Sequence, residues 1–388
     1  MPKHPAFFAS VCDKPLHLIF KVRKPADLAD LADLPKKLLW LPYHLRDPTL
    51  LTMMMPPEVE DQLVQVVNRI YDAGVRFESF DWSTSGVQVS ELKLVHDLGC
   101  AIRSKLLDET GACILRRLDL SRFSSSSPEH CDDVKNSGNQ DTVDRAKLAY
   151  YILLSFVGVV DGTTRGRLFD VKNNTDTDIA SDNVLFSVSN TKADWHTDGA
   201  SRDKVYDVVS LLSITKSAVG GEFKVSNAVN ALENLKLKLP KFLLYELFRP
   251  LPRDILENGR GTGLDNDLLT TVTRSDSILK LRLKRNSFPI FVDHGDRIKF
   301  RYMRYWIESA HRKIGWPVSP LLSIAMDLLD RELDAACCFK EALAPGDMAF
   351  TNNLFISHAR NAFEDLPSEL PRHKVRAWLQ VRAAHKIT

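Results

Sequence analysis

The spacing of apolar residues divides the chain into a helical front and a strand-rich remainder. From Glu58 to Ala73 they recur at helical intervals (Val59, Leu63, Val66, Ile70), and Glu91 to Leu107 repeats the pattern. Gly111 to Leu120 reads as a glycine-led apolar strand. Residues 121 to 142 then lose all periodicity in a polar stretch rich in Ser, Asp and Asn, which predicts a loop. A helix is expected from Val143 to Val159. Beyond about Asn183 the period shortens to two: Leu185 to Ser189 alternates, and so does Glu222 to Ser226 after the Gly220-Gly221 turn. Between them, Tyr206 to Thr215 is apolar enough to be a strand buried on both faces.

Helices interrupt this half. Asn227 is placed to cap one that runs through Leu235, and a second opens at Pro240 and is closed by Pro250 and Pro252. Ile278 to Lys284, Phe288 to Val292 and Arg297 to Met303 read as strands, with Asp293-His294-Gly295-Asp296 as the turn between the last two. Ser319 and Pro320 open a further helix carrying Leu322, Ala325 and Leu329. Leu343 to Phe350, Thr351 to Arg360 and Arg372 to Arg382 complete the strands. The pattern predicts a mainly β protein with helical cover, a sandwich or jelly roll. We expect one domain over residues 1 to 388, mainly helical over 1 to 110 and with its β core over 111 to 382.

Composition changes this picture little. With 44% apolar and 26% charged residues the chain is an ordinary globular protein, and 388 residues can bury a substantial core. A formal charge of +2 gives no reason to expect a nucleic-acid groove or an anionic membrane surface as partner. The longest apolar run, Ala149 to Val160, is too short to span a bilayer, and the opening residues lack the apolar length of a secretory signal. The six cysteines show neither metal nor disulfide spacing, so reduced thiols and a cytoplasmic location are expected.

Three His-x-Asp steps are candidate chemistry. His130-Cys131-Asp132 lies in the polar stretch and His294-Gly295-Asp296 in a turn, neither a rigid frame for a metal. His196-Thr197-Asp198 ends an apolar run. If Ala193 to Asp198 is extended, the period of two puts His196 and Asp198 on one face, supplying two corners of a 2-His-1-carboxylate site of the kind that suits non-haem Fe(II). A third candidate ligand, His358, ends the strand-like Leu354 to Ser357. In the last strand Arg372, Lys374, Arg376, Trp378 and Gln380 alternate with Val375, Ala377, Leu379 and Val381.

These residues, with Gly220-Gly221-Glu222, Pro345-Gly346-Asp347, Asn352-Asn353, His358-Ala359-Arg360 and Phe363, resemble the taurine dioxygenase (TauD/TfdA) family of Fe(II)/2-oxoglutarate-dependent dioxygenases, in the clavaminate-synthase-like superfamily. The resemblance runs from about Gly111 to Gln380. It implies a double-stranded β-helix, iron held by His196, Asp198 and His358, and 2-oxoglutarate and O2 as co-substrates. It implies that Arg372 grips the far carboxylate of 2-oxoglutarate and that Arg376 faces co-substrate or substrate. Trp195 and Arg301 are further candidates for substrate contact, whereas Arg360 reads as a structural ion-pair partner. The implied reaction is oxidation, above all hydroxylation, of a small polar metabolite, with release of succinate and CO2. A homo-oligomer is compatible with it. Two departures stand out: Phe223 where relatives place a co-substrate-binding threonine, and Asn352 where aspartate is common. A cupin-like metal enzyme that does without 2-oxoglutarate, and a non-catalytic binding protein on the same fold, stay open as alternatives.

Overall fold

In a computed structural model of the chain, the residues described are 36–41, 47–83, 85–124, 134–162, 166–172, 189–200, 205–254, 276–366 and 370–381, with backbone alone for 134–139 and 276–278. All of them belong to one compact unit, Pro35–Thr388. Two sheets dominate. The larger contains β1 (Thr52–Met54), β2 (Ala112–Arg116), β3 (Val159–Val160), β4 (Phe169–Lys172), β6 (Val208–Thr215), β9 (Met348–Asn352) and β11 (His373–Gln380), in the order β1-β2-β9-β6-β11-β3, with β4 also on β11. The smaller has the order β8-β7-β10-β5, from Cys337–Glu341, Phe223–Asn227, Ile356–Arg360 and Ala193–His196 respectively. Apart from the parallel pair β1 and β2, the pairings in both sheets are antiparallel.

Strand periodicity sorts the larger sheet's side chains between two cores. Cys113, Leu115, Val208, Leu212, Met348, Phe350, Val375, Ala377 and Leu379 point outward into one cluster with three helices, α1 (Pro57–Asp72), α2 (Lys93–Ser104) and α3 (Val134–Val157). Ala112, Ile114, Leu211 and Ala349 point inward and join Phe223, Val225, Phe339 and Ile356 of the smaller sheet. The same core takes in α4 (Ala228–Lys238) and α8 (Pro320–Ala335) through residues such as Leu232, Leu322, Ala325 and Leu329. Both caps form as expected: Asn227 accepts from the Val229 N–H at 2.8 Å and Ser319 from the Leu322 N–H at 3.1 Å. The short helix α5 (Lys241–Phe248) follows Pro240.

Two local expectations are corrected. Ile278 to Lys284 is part of a helix, α6 (Asp276–Arg285), not a strand. Its leucines do alternate, but in the helix Leu279 and Leu283, four apart, both meet Ala310 and Ile314 of α7 (Arg304–Ile314), while Leu281 turns out to solvent. Tertiary packing therefore overrides a period-two pattern built from good helix formers. The polar stretch 121 to 142 is not all loop, because α3 begins at Val134. The turn at His294 is borne out: Phe291–His294 and Arg297–Phe300 form a hairpin. His130 and most of the expected strand Leu185 to Ser189 lie outside the described residues.

Candidate metal centre

The two histidines meet because their strands are neighbours. In the antiparallel pair β5 and β10, His358 stands directly opposite His196, and the ring centroids are 4.3 Å apart. Asp198 follows β5 by two residues. Thr197, between them, turns away: its N–H donates to the Tyr302 carbonyl at 2.9 Å, and its hydroxyl accepts from the Tyr302 N–H at 3.1 Å. Gly199, with φ of 70°, then carries the chain out of the site in a conformation that favours glycine. Asn353 fixes the aspartate's backbone from both sides, accepting from the Asp198 N–H at 2.8 Å and donating to its carbonyl at 2.9 Å.

The geometry is that of an ion site. Asp198 Oδ1 lies 3.7 Å from Nε2 of both His196 and His358, and one ligand atom from each residue falls within 4.8 Å of the others. All three side chains are buried. His196 donates through Nδ1 to the Asp194 carbonyl at 2.7 Å, which leaves the Nε2 lone pair for the centre. The other carboxylate oxygen is occupied: Asp198 Oδ2 accepts from Arg376 at 3.0 Å and from the Trp378 indole at 2.6 Å. Oδ1 is thus the oxygen presented to an ion.

Protonation states suit the same end. Burial, with His358 alongside, pushes His196 down to about 3, so the imidazole is neutral at pH 7. Burial by itself would raise the Asp198 carboxyl, but the Arg376 guanidinium, followed by His358, holds it well below the usual range. Two imidazoles and one carboxylate form a donor set for a divalent transition metal with positions left open.

The model of the family described as "Taurine catabolism dioxygenase TauD, TfdA family" matches residues 77–378. The chain belongs to this family, the iron- and 2-oxoglutarate-dependent dioxygenases. Among curated proteins, none matches the sequence significantly. Solved structures share its fold. Asparagine oxygenase, in complex with Fe(II), 2S,3S-3-hydroxyasparagine and succinate, is similar with a TM-score of 0.60 and 14% identity over 85% of this chain and 94% of its own. The non-heme iron oxygenase OrfP, in complex with Fe, succinate and (3R,4R)-dihydroxy-L-Arg, is similar with a TM-score of 0.59 and 16% identity over 85% and 94%. OrfP is also known in complex with Fe and alpha-ketoglutaric acid, with a TM-score of 0.56 and 15% identity over the same shares.

Other expected site residues of this dioxygenase divide. Arg372 is buried beside the site; its backbone N–H donates to Asp365 at 2.9 Å, and its guanidinium makes no hydrogen bond or ion pair among the described residues. Its carbon lies 5.0 Å from the centroid of the Phe363 ring. Arg376 is committed to Asp198. Trp195 points away from the histidines, its indole donating to Asp334 at 2.9 Å under the Lys224 ammonium. Arg301 is buried, stacks 3.6 Å from the Phe288 centroid and donates through Nε to the Ala200 carbonyl at 3.0 Å. It braces the turn that follows Asp198. Arg360, expected in an ion pair, has no carboxylate partner among the described residues; it donates to the carbonyls of Ser189, at 2.9 Å, and Thr191.

Sequence reading assigned no role to Trp378, Tyr206 or Asn353. Tyr206 stacks on Trp378 with centroids 4.4 Å apart, and Phe169 meets the same indole edge-on at 4.8 Å. Trp378 could have been found, since it lies two residues beyond Arg376 on the same strand face. Tyr206 carries no such signal, because its partner is 172 residues away in sequence.

Proposed function

We propose that His196, Asp198 and His358 hold Fe(II) between the sheets of a double-stranded β-helix, and that Arg372 takes the far carboxylate of 2-oxoglutarate. The observation that carries this reading is the pairing of a buried three-ligand cluster with a buried guanidinium that makes no hydrogen bond or ion pair among the described residues. A guanidinium out of water is costly without an anion, and its planar fork matches a carboxylate. When bound, iron would supply the oxidant from O2 at the expense of 2-oxoglutarate, which leaves as succinate and CO2. The protein supplies position. Asp194 fixes the His196 tautomer, Arg376 and Trp378 fix the carboxylate oxygen that is not offered to the ion, and burial excludes bulk water.

The substrate in this reading is a small polar metabolite, hydroxylated at carbon. Support comes from the similar structures, which are in complex with 3-hydroxyasparagine and dihydroxyarginine. Arg376, between Asp198 and the aromatic group Phe169, Tyr206 and Trp378, is the residue placed to meet it. The test is succinate formation with Fe(II), 2-oxoglutarate and O2 across a panel of free amino acids and related small acids. The expected result is substrate-stimulated succinate release that Asp198→Ala abolishes. A protein that binds no metal and forms no succinate with any of them would overturn the reading.

A further inference from the structure

We propose that Arg360 is a second binding residue for 2-oxoglutarate, sharing the distal carboxylate with Arg372; the inference rests on the dioxygenase reading above. Arg360 stands two residues beyond His358 on β10, so both side chains share the strand's inner face. It is buried, yet only Nη2 is used, on two backbone carbonyls, while Nε is buried with no partner. The Arg372 Nε is orphaned in the same way. The two guanidinium carbons lie 4.9 and 5.0 Å from the centroid of one ring, that of Phe363. Burial, with Arg376 near, lowers Arg360 to about 10, and burial, with Arg360 and Arg376 near, lowers Arg372 to about 9, in keeping with like charges held together.

Two buried cations flanking one aromatic ring repel each other, and no carboxylate side chain pairs with either among the described residues. Asp365, which approaches Arg372, binds its backbone amide instead. An anion with two oxygens resolves both deficits, one oxygen for each guanidinium. Phe223, registered directly opposite Arg360, offers the carboxylate no hydrogen-bond donor, so a donor has to come from elsewhere. Nε of Arg360 is that donor.

The test compares two keto acids on the full-length Fe(II)-loaded protein under anaerobic conditions, by calorimetry. 2-Oxoglutarate carries the distal carboxylate; 2-oxobutyrate has the same chelating end without it. Arg360→Gln is expected to weaken 2-oxoglutarate binding about tenfold or more and to leave 2-oxobutyrate within about twofold, the size of a lost charge-assisted contact. Unchanged 2-oxoglutarate affinity, or equal loss for both acids, would overturn the assignment, the latter by showing that Arg360 only braces the backbone at Ser189 and Thr191. If the glutamine variant does not fold, Arg360→Lys carries the comparison: a loss confined to 2-oxoglutarate supports the proposal and a shared or absent loss overturns it. Wild-type protein that binds neither acid in the presence of Fe(II) overturns the dioxygenase site itself, whereas normal 2-oxoglutarate binding by Arg360→Gln overturns only the role of Arg360.

Discussion

Arg304 and Arg372 lie in the same compact unit and meet opposite surroundings. Arg304, at the start of α7, donates to Glu308 at 2.7 Å, to Asp327 at 2.6 Å and to Asp330 at 3.1 Å, and Asp330 also accepts the Tyr302 hydroxyl at 2.9 Å. Burial would lower its affinity for its proton, but these carboxylates more than reverse that and raise it. Arg372, on the last strand's approach to the candidate metal centre, is more deeply buried, and its guanidinium has no carboxylate within ion-pair distance among the described residues; burial lowers it to about 9. The contrast separates two uses of one side chain. A paired arginine holds the fold together, and an unpaired buried one keeps its hydrogen-bonding capacity for a ligand at some cost in stability.

Exchanging the two residues for alanine tests that contrast most sharply. Arg372→Ala is expected to weaken 2-oxoglutarate binding about a hundredfold while the melting temperature of the ligand-free protein holds or rises, because an uncompensated buried charge is removed. Arg304→Ala is expected to cost about 1–2 kcal/mol of stability, read by denaturant unfolding, and to leave 2-oxoglutarate affinity unchanged. Loss of stability by the first, or of affinity by the second, breaks the distinction.

A smaller effect is expected where the site is braced. Trp378→Phe keeps a ring against Tyr206 and removes the N–H that fixes Asp198 Oδ2. Iron affinity measured by competition with a chelator should fall about tenfold, with Arg376 still in place. A change below about twofold would show that the guanidinium alone orients the carboxylate.

A last effect is on the pH dependence of the metal-free protein. Because the folded value of His196, about 3, lies below the ordinary 6.5, the unfolded chain takes up the proton first. Its contribution to stability is complete above pH 6.5 and is lost as pH falls from there toward 3. Melting curves of the metal-free protein should show this slope, and His196→Asn should flatten it.

Much of this was legible in the chain. Period two around Thr197 put His196 and Asp198 on one face, and the hairpin turn at His294 removed a rival, because both depend on neighbouring residues alone. The helix caps at Asn227 and Ser319 were readable for the same reason. What failed was also local in form. The alternating leucines of 278 to 284 match a strand as well as they match a helix, and only α7, which packs on Leu279 and Leu283, decides between them.

The sequence by itself determined the candidate ligand types, the strand end that brings two of them together and the arginines at and just before the final strand. Tertiary structure decided which charges are paired. Arg360 reads as an ion-pair partner, yet among the described residues the fold brings carbonyls rather than carboxylates to it; Arg376 reads as facing co-substrate or substrate, and the fold in addition sets one of its nitrogens on Asp198. A side chain's charge is written in its code letter, but its partner is fixed by strand register and, for Arg376, by a residue 178 positions away. No local pattern encodes that distance, which is why the candidate metal corners could be picked out in the chain and the pairing of the buried arginines could not.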